Sequence, residues 1–143
     1  MKHVLKISTL AELEIYSILQ PSLEELFKRL GFSREQAVNI VIATEEVFAY
    51  CVKLIQSAKS KSRIDISINH DGSYLYIIIE HDGPRGALEK HFMQGAEKKI
   101  ERTSFEALGL YIAREVIDEL TYTGFWGGKN EFKLTVRFPD TVV

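Results

Sequence analysis

The stretch Asn39-Ile-Val-Ile-Ala-Thr-Glu-Glu-Val-Phe-Ala-Tyr-Cys-Val-Lys-Leu54 decides how the rest of the chain can fold. Its apolar residues recur every three or four positions, which predicts a helix that contributes a wide stripe to the core. On a neighbouring line of the same helix, Glu46 and Tyr50 lie one turn apart. A carboxylate among apolar residues costs free energy unless it is paired or has a function, so Glu46 is the first candidate for a site.

The segment before this helix predicts an edge strand and a second helix. Residues 1–8 alternate loosely between polar and apolar, as an edge strand does. A helix is predicted from Leu10 to Gly31, a natural C-terminal residue. Pro21 should interrupt this helix, and a capping pattern at Ser22 favours a restart after a kink.

The central helix should open at the capping box Ser33–Gln36 and end near Ala58, where the pattern changes to strands. The later predicted elements are a strand at 63–70, a hairpin turn at 71–72, a strand at 74–81, short helices or a lid at 87–104, a helix from 105, a strand at 120–126, a turn at 127–130 and a strand at 131–138. The apolar strand 74–81 should be central and covered on both faces.

The order β-α-α-β-β-(loop)-α-β-β predicts a single α+β domain over residues 1–143. Hairpin-paired strands with helices grouped between them favour a two-layer sandwich, in which a mixed, mostly antiparallel sheet carries helices on one face. In this arrangement Glu46 should point between the central helix and the sheet.

The bulk composition excludes several classes of protein. A net charge of -2 leaves no electrostatic footprint for nucleic acid or an anionic membrane. The chain shows neither a signal peptide nor an apolar run long enough to span a bilayer, which favours a cytoplasmic location. The single cysteine, Cys51, falls on the apolar stripe as a buried thiol. The four histidines lack metal-ligand spacing, so no protein metal site is predicted.

Three sequence motifs resemble those of GHKL-type, histidine-kinase-like ATPases, and among them the bacterial anti-sigma factors that act as serine protein kinases. Residues 45–50, Glu-Glu-Val-Phe-Ala-Tyr, resemble the helix box of that family. Residues 81–85, His-Asp-Gly-Pro-Arg, resemble its Asp-x-Gly-x-Gly box. Residues 107–118 resemble its Gly-Leu-Gly-Leu box and the following helix. The likeness extends over nearly the whole chain.

The resemblance implies a site for ATP and Mg²⁺. Glu46 stands where the family has its general base, and Tyr50 stands where an Asn holds the magnesium ion. His81 stands where an Asp accepts a hydrogen bond from the adenine amino group. The other nucleotide-binding positions that the resemblance implies are Gly83, Arg85, Gly109 and Leu110.

Four residues depart from the family pattern: Tyr50, His81, Arg85 and Ala107. A phenol is a poor magnesium ligand, and a neutral imidazole accepts through only one of its nitrogens. Each candidate also has a purely structural interpretation, such as a Glu46–Lys53 ion pair or a core-filling Tyr50. Enzyme activity therefore stays open at this point.

Two hypotheses from different classes follow. By the first, the protein is a transcription regulator that binds a sigma factor or an anti-sigma antagonist, with a homodimer possible, and acts as an ATP-dependent serine/threonine kinase through Glu46. By the second, it is a nucleotide-free pseudo-ATPase of the same fold that acts only through protein–protein binding. An unrelated α+β enzyme that uses Glu46 and His81 is a third, weaker reading.

Overall fold

The computed structural model of the protein describes residues 1–95 and 105–139, without the side chains of residues 105 and 106. The elements are β1 (Lys2–Thr9), α1 (Leu13–Arg29), α2 (Arg34–Ser57), β2 (Ile64–His70), β3 (Tyr74–His81), a one-turn 3₁₀ helix (Glu89–His91), α3 (Phe105–Val116), β4 (Glu119–Gly124) and β5 (Asn130–Arg137). This order confirms the predicted α+β class. Of the predicted lid at 87–104, the part from residue 96 onward lies outside the described residues.

The five strands form one sheet in the order β1-β2-β3-β5-β4, with β1 at an edge and β3 in the centre, as predicted. All four strand pairs are antiparallel, where a mixed sheet was expected. Strands β3 and β4 run in the same direction, but β5 lies between them and prevents a parallel pair from forming.

The helices cover one face of this sheet, and the other face is open to solvent. On β3, Leu75, Ile77 and Ile79 are fully buried under the helices. On the opposite face Tyr74 is exposed and Tyr76 is half-buried, so the expected cover on both faces is wrong. An antiparallel sheet tolerates this arrangement because one of its faces can pack on the core while the other faces water.

Helix α2 begins and ends where the sequence predicts. The Ser33 backbone N–H donates to the Gln36 side chain, and the Gln36 backbone N–H donates to Ser33 Oγ, which completes the capping box. Ala58 is the C-terminal cap. The apolar stripe of α2 is buried between α1, α3 and the sheet, and Cys51 is fully buried within this stripe. Burial raises the pKa of the Cys51 thiol, as expected for an inert side chain.

Helix α1 runs without a break through Pro21, so the predicted interruption is wrong. Pro21 and Ser17 are both exposed, and water can satisfy the Ser17 carbonyl that loses its intrahelical partner. Tyr16, Leu23 and Phe27 are buried on the inner side of α1. Tertiary packing therefore outweighs the local effect of the proline. No helix within residues 1–95 or 105–139 is long and apolar enough to cross a membrane.

Candidate functional site

Glu46 lies in the contact between α2 and α3. It is half-buried, and a Cβ added to Gly109 of α3 would overlap its carboxylate. Burial, and secondly the neighbouring charge of Glu45, raise the pKa of Glu46. The side chain thus faces α3 instead of the sheet, which corrects the direction predicted from the sequence. The contact joins the predicted base to the third predicted motif.

Gly109 lies inside α3, four residues after the first residue of that helix. The helix already includes Phe105, so the Gly109 N–H is past the four unpaired N–H groups of a helix N-terminus. It is used within the helix and is not free to bind a phosphate. Leu110 is fully buried in the core. Both residues therefore have a packing role in this structure.

Tyr50 is held by a buried carboxylate that the sequence did not point to. Its hydroxyl donates to Glu89, which is fully buried in the 3₁₀ turn and also accepts the Gly86 backbone N–H. The Leu88 N–H donates to the Tyr50 hydroxyl at 3.3 Å. Burial, and then the bond to Glu89, raise the pKa of Tyr50. We call these four residues the Tyr50–Glu89 cluster.

The cluster is closely packed on both sides. A Cβ added to Gly86 would overlap the Tyr50 hydroxyl and lie 2.8 Å from Leu54 Cδ2. The Tyr50 ring meets Phe132 of β5 edge-on, with centroids 5.9 Å apart. Gly86 is therefore required as a glycine by protein packing, with no need to invoke a ligand.

These residues do not fit a magnesium ion with bound phosphates. The hydroxyl at the position implied for the metal is engaged by Glu89. The buried Glu89 carboxylate beside it would repel phosphate. Within the described part of the chain, no group of three His, Cys, Asp or Glu residues is placed to hold a metal ion.

His81 has the wrong hydrogen-bonding polarity for the role that the resemblance implies. It is 2% exposed at the end of β3, and its Nδ1 accepts the Gly83 backbone N–H at 3.0 Å. The neutral ring must then carry its proton on Nε2, which has no partner among the described residues. An adenine amino group needs an acceptor, and the free nitrogen of His81 is a donor.

Asn130 ties the loop after β3 to the β4–β5 turn, a role that no sequence motif indicated. It is buried, and its Nδ2 donates to the carbonyls of His81, Gly83 and Gly128 at 3.3, 2.9 and 3.2 Å. Its Oδ1 accepts the Tyr122 hydroxyl at 2.5 Å. The backbone at Gly83 is thus fixed by side chains of the protein.

Arg85 is exposed, and its described contacts are with Tyr122 and Met93. Its guanidinium stacks 5.4 Å from the Tyr122 ring centroid, and Nη2 contacts Met93 Sδ at 2.9 Å. It lines an open groove of about 570 Å³ together with the β4–β5 turn. Trp126 in that turn is fully exposed.

Strand β4 ends at Gly124, so the predicted strand end at Trp126 is wrong.

The described contacts join the predicted site residues in pairs. Glu46 meets Gly109, His81 meets Gly83, and Tyr50 meets the unpredicted Glu89. Glu89 lies in a polar segment without periodicity, so no sequence signal could have singled it out.

Burial of His81 should make the protein less stable in acid. Burial lowers the pKa of His81 to about 4, against a smaller opposing effect of Asp82. The unfolded chain takes up this proton near pH 6.5 and the folded chain only near pH 4, so stability is lost as the pH falls between the two. The full loss is about 3 kcal/mol.

The measurement is urea unfolding at pH 7 and at steps down to pH 4.5, on the wild type and on His81→Asn. The Asn oxygen can still accept the Gly83 N–H but does not titrate. The wild type should lose more stability than the variant across this window. Equal losses would show that His81 does not cause the acid sensitivity.

Several solved structures share this fold, three of which are compared with the chain below. The SiaB–SiaC complex from Pseudomonas aeruginosa matches with a TM-score of 0.71 and 12% identity, over 94% of this chain and 90% of that chain. The RsbU and RsbW domains of Rv1364c from Mycobacterium tuberculosis match at 0.65 and 18%, over 97% of this chain. The histidine kinase AdeS from Acinetobacter baumannii matches at 0.54 and 12%, over 96% of this chain and 70% of that chain.

The chain therefore has the GHKL, histidine-kinase-like ATPase fold, as the three motifs predicted. It spans about a third of the Rv1364c chain, covering 34% of it. No protein-family model matches the sequence, and no curated protein does. At identities of 12–18% the likeness establishes the fold alone.

Proposed function

We propose that this protein is a regulatory interaction module of the histidine-kinase-like fold, which binds another protein and works without a nucleotide. The observation that carries this proposal is the Tyr50–Glu89 cluster. The buried Tyr50 phenol donates a hydrogen bond to the buried Glu89 carboxylate. Together they occupy the position that the resemblance gives to magnesium and phosphate. Opening this position would leave two buried polar groups without partners.

The other two motifs support the same function. His81 offers a donor where adenine requires an acceptor, and Gly109 offers no free N–H for a phosphate. One similar structure, SiaB–SiaC, is a complex of two proteins. We infer a protein partner for this chain on that basis. A sigma factor or an anti-sigma antagonist, a cytoplasmic location and a homodimer stay predictions from the sequence.

A second function, an ATP-dependent serine/threonine kinase, is favoured by one observation. Glu46 faces the third motif at Gly109, and its pKa is raised, which suits a general base. A kinase of this kind would depend on the Glu46 carboxylate for turnover.

Formation of ADP from Mg-ATP separates the two functions, because a kinase releases ADP whether the phosphoryl group goes to a serine hydroxyl or to water. We expect the wild type and Glu46→Gln to form ADP at the rate of buffer alone, because no nucleotide is bound. The Gln side chain keeps the size of Glu and should not disturb the contact with Gly109. A wild-type rate above buffer that falls about a hundredfold or more in Glu46→Gln would instead support the kinase.

A further inference from the structure

Five apolar side chains on the outer sides of α2 and α3 are exposed to solvent. Val38 and Ile42 of α2 are 36% and 39% exposed, and Leu108, Ile112 and Val116 of α3 are 40%, 37% and 37% exposed. Within each helix they are four residues apart, so each set forms a line along one side. Together they expose on the order of a few hundred Å² of apolar surface, a size that is often functional.

The two lines lie side by side and run in opposite directions. At one end Glu46 of α2 meets Gly109 of α3. At the other end a cleft of about 310 Å³ is lined by Asn39 of α2 and Val116 of α3. Between these ends the apolar lines must face each other across the helix–helix seam. We call this surface the α2–α3 groove, which comprises Val38, Ile42, Leu108, Ile112 and Val116.

Three carboxylates lie along the rim of the groove. Glu35 lies three residues before Val38, and Glu45 lies three residues after Ile42. On α3, Glu115 lies three residues after Ile112. The one cation within the α3 line, Arg114, is turned to the aromatic rings of Phe92 and Tyr111. Two basic residues, the exposed Arg34 four residues before Val38 and Arg137 in the cleft beside Val116, lie at one end of the groove. Partner side chains along the rest of the rim would therefore meet carboxylates.

We propose that the α2–α3 groove docks an amphipathic helix of a different protein, one with basic side chains beside its apolar face. A groove between two helices accepts such a helix through residues spaced by three and four. A second copy of this chain is disfavoured, because a two-fold contact would bring Glu45 and Glu115 of both copies to the same interface. The inference rests on the proposed function, since it assigns the surface and the partner chemistry of that interaction module.

Two synthetic helical peptides test the proposal. Both carry leucine at four-residue spacing. All remaining positions are lysine in one peptide and glutamate in the other. Binding to the full chain is followed by fluorescence anisotropy and by amide NMR shifts. The lysine peptide should bind at least about tenfold more tightly than the glutamate peptide, because it can pair with the rim. Its amide shifts should centre on Ile42 and Ile112.

Variants locate the binding surface. Ile112→Ser removes apolar area from the groove and should weaken binding of the lysine peptide about tenfold. Ile18→Ser is the matched control, since Ile18 is 72% exposed on α1, away from the groove, and should change nothing. Glu45→Lys with Glu115→Lys should reverse the preference toward the glutamate peptide. The circular dichroism of each variant should match that of the wild type.

Equal binding of the two peptides, or equal weakening by Ile112→Ser and Ile18→Ser, would overturn the proposal. Self-association of the chain that Ile112→Ser abolishes would overturn it too, because the occupant would then be a second copy. Failure of this inference is distinct from failure of the proposed function. A nucleotide-free module that binds its partner elsewhere would fail the peptide test and still form no ADP from Mg-ATP.

Discussion

Replacing Glu89 by alanine should lower the free energy of unfolding by about 2 to 3 kcal/mol. The variant leaves the buried Tyr50 hydroxyl and the partly buried Gly86 N–H without their acceptor. It also leaves a cavity under the 3₁₀ turn. Removing the carboxylate also removes the free-energy cost of burying it, which offsets part of this loss. Thermal unfolding should show a fall in Tm of roughly 6 to 9 °C.

Two control variants separate the hydrogen bonds from the volume. Glu89→Gln keeps the size but replaces one of the two acceptor oxygens by an NH2 donor, so its loss should be about 1 to 2 kcal/mol, below that of Glu89→Ala. Lys90→Ala changes the exposed neighbour and should stay within about 0.5 kcal/mol of the wild type. A Glu89→Ala protein as stable as Lys90→Ala would contradict the role assigned to the cluster.

Replacing Phe132 by alanine should cost still more, about 4 kcal/mol. Phe132 is fully buried in β5, and its ring contacts those of Tyr50, Phe92 and Tyr122 at centroid distances of 5.9, 6.4 and 5.2 Å. Its removal takes away the support that the Tyr50–Glu89 cluster and the β4–β5 hairpin share. Urea unfolding measures the loss.

The matched control for this prediction is Phe125→Ala in the β4–β5 turn, where the ring is 51% exposed. That variant should lose less than about 1 kcal/mol, because little apolar area returns to water. Similar losses at residues 125 and 132 would mean that Phe132 is not the centre of this aromatic packing.

The sequence predicted those parts of the fold that local pattern controls. The capping box at Ser33 and the stripe of α2 gave its start and its buried side, because both depend on spacing within one segment. The alternation of β2 and the Asp71-Gly72 turn likewise gave the hairpin. The break at Pro21 was wrong, since contacts of α1 with its neighbours outweigh the loss of one hydrogen bond.

The candidate site was harder to predict, because its geometry depends on contacts between distant segments. The direction of Glu46 is set by the packing of α3 at Gly109, which spacing within α2 cannot give. The partner of Tyr50 is Glu89, which lies 39 positions away in a segment without periodicity. The sequence thus identified an unusual residue at position 50 but could not identify what engages it.

Thermal unfolding with and without millimolar Mg-ATP tests the central claim most directly. A ligand at a hundred times its dissociation constant stabilises the native state by about 2.7 kcal/mol, which at this chain length raises Tm by roughly 8 °C. Magnesium chloride alone at the same ionic strength is the control. For a protein that works without a nucleotide, Tm should be the same in both solutions. A saturable rise in Tm that requires ATP would contradict the account.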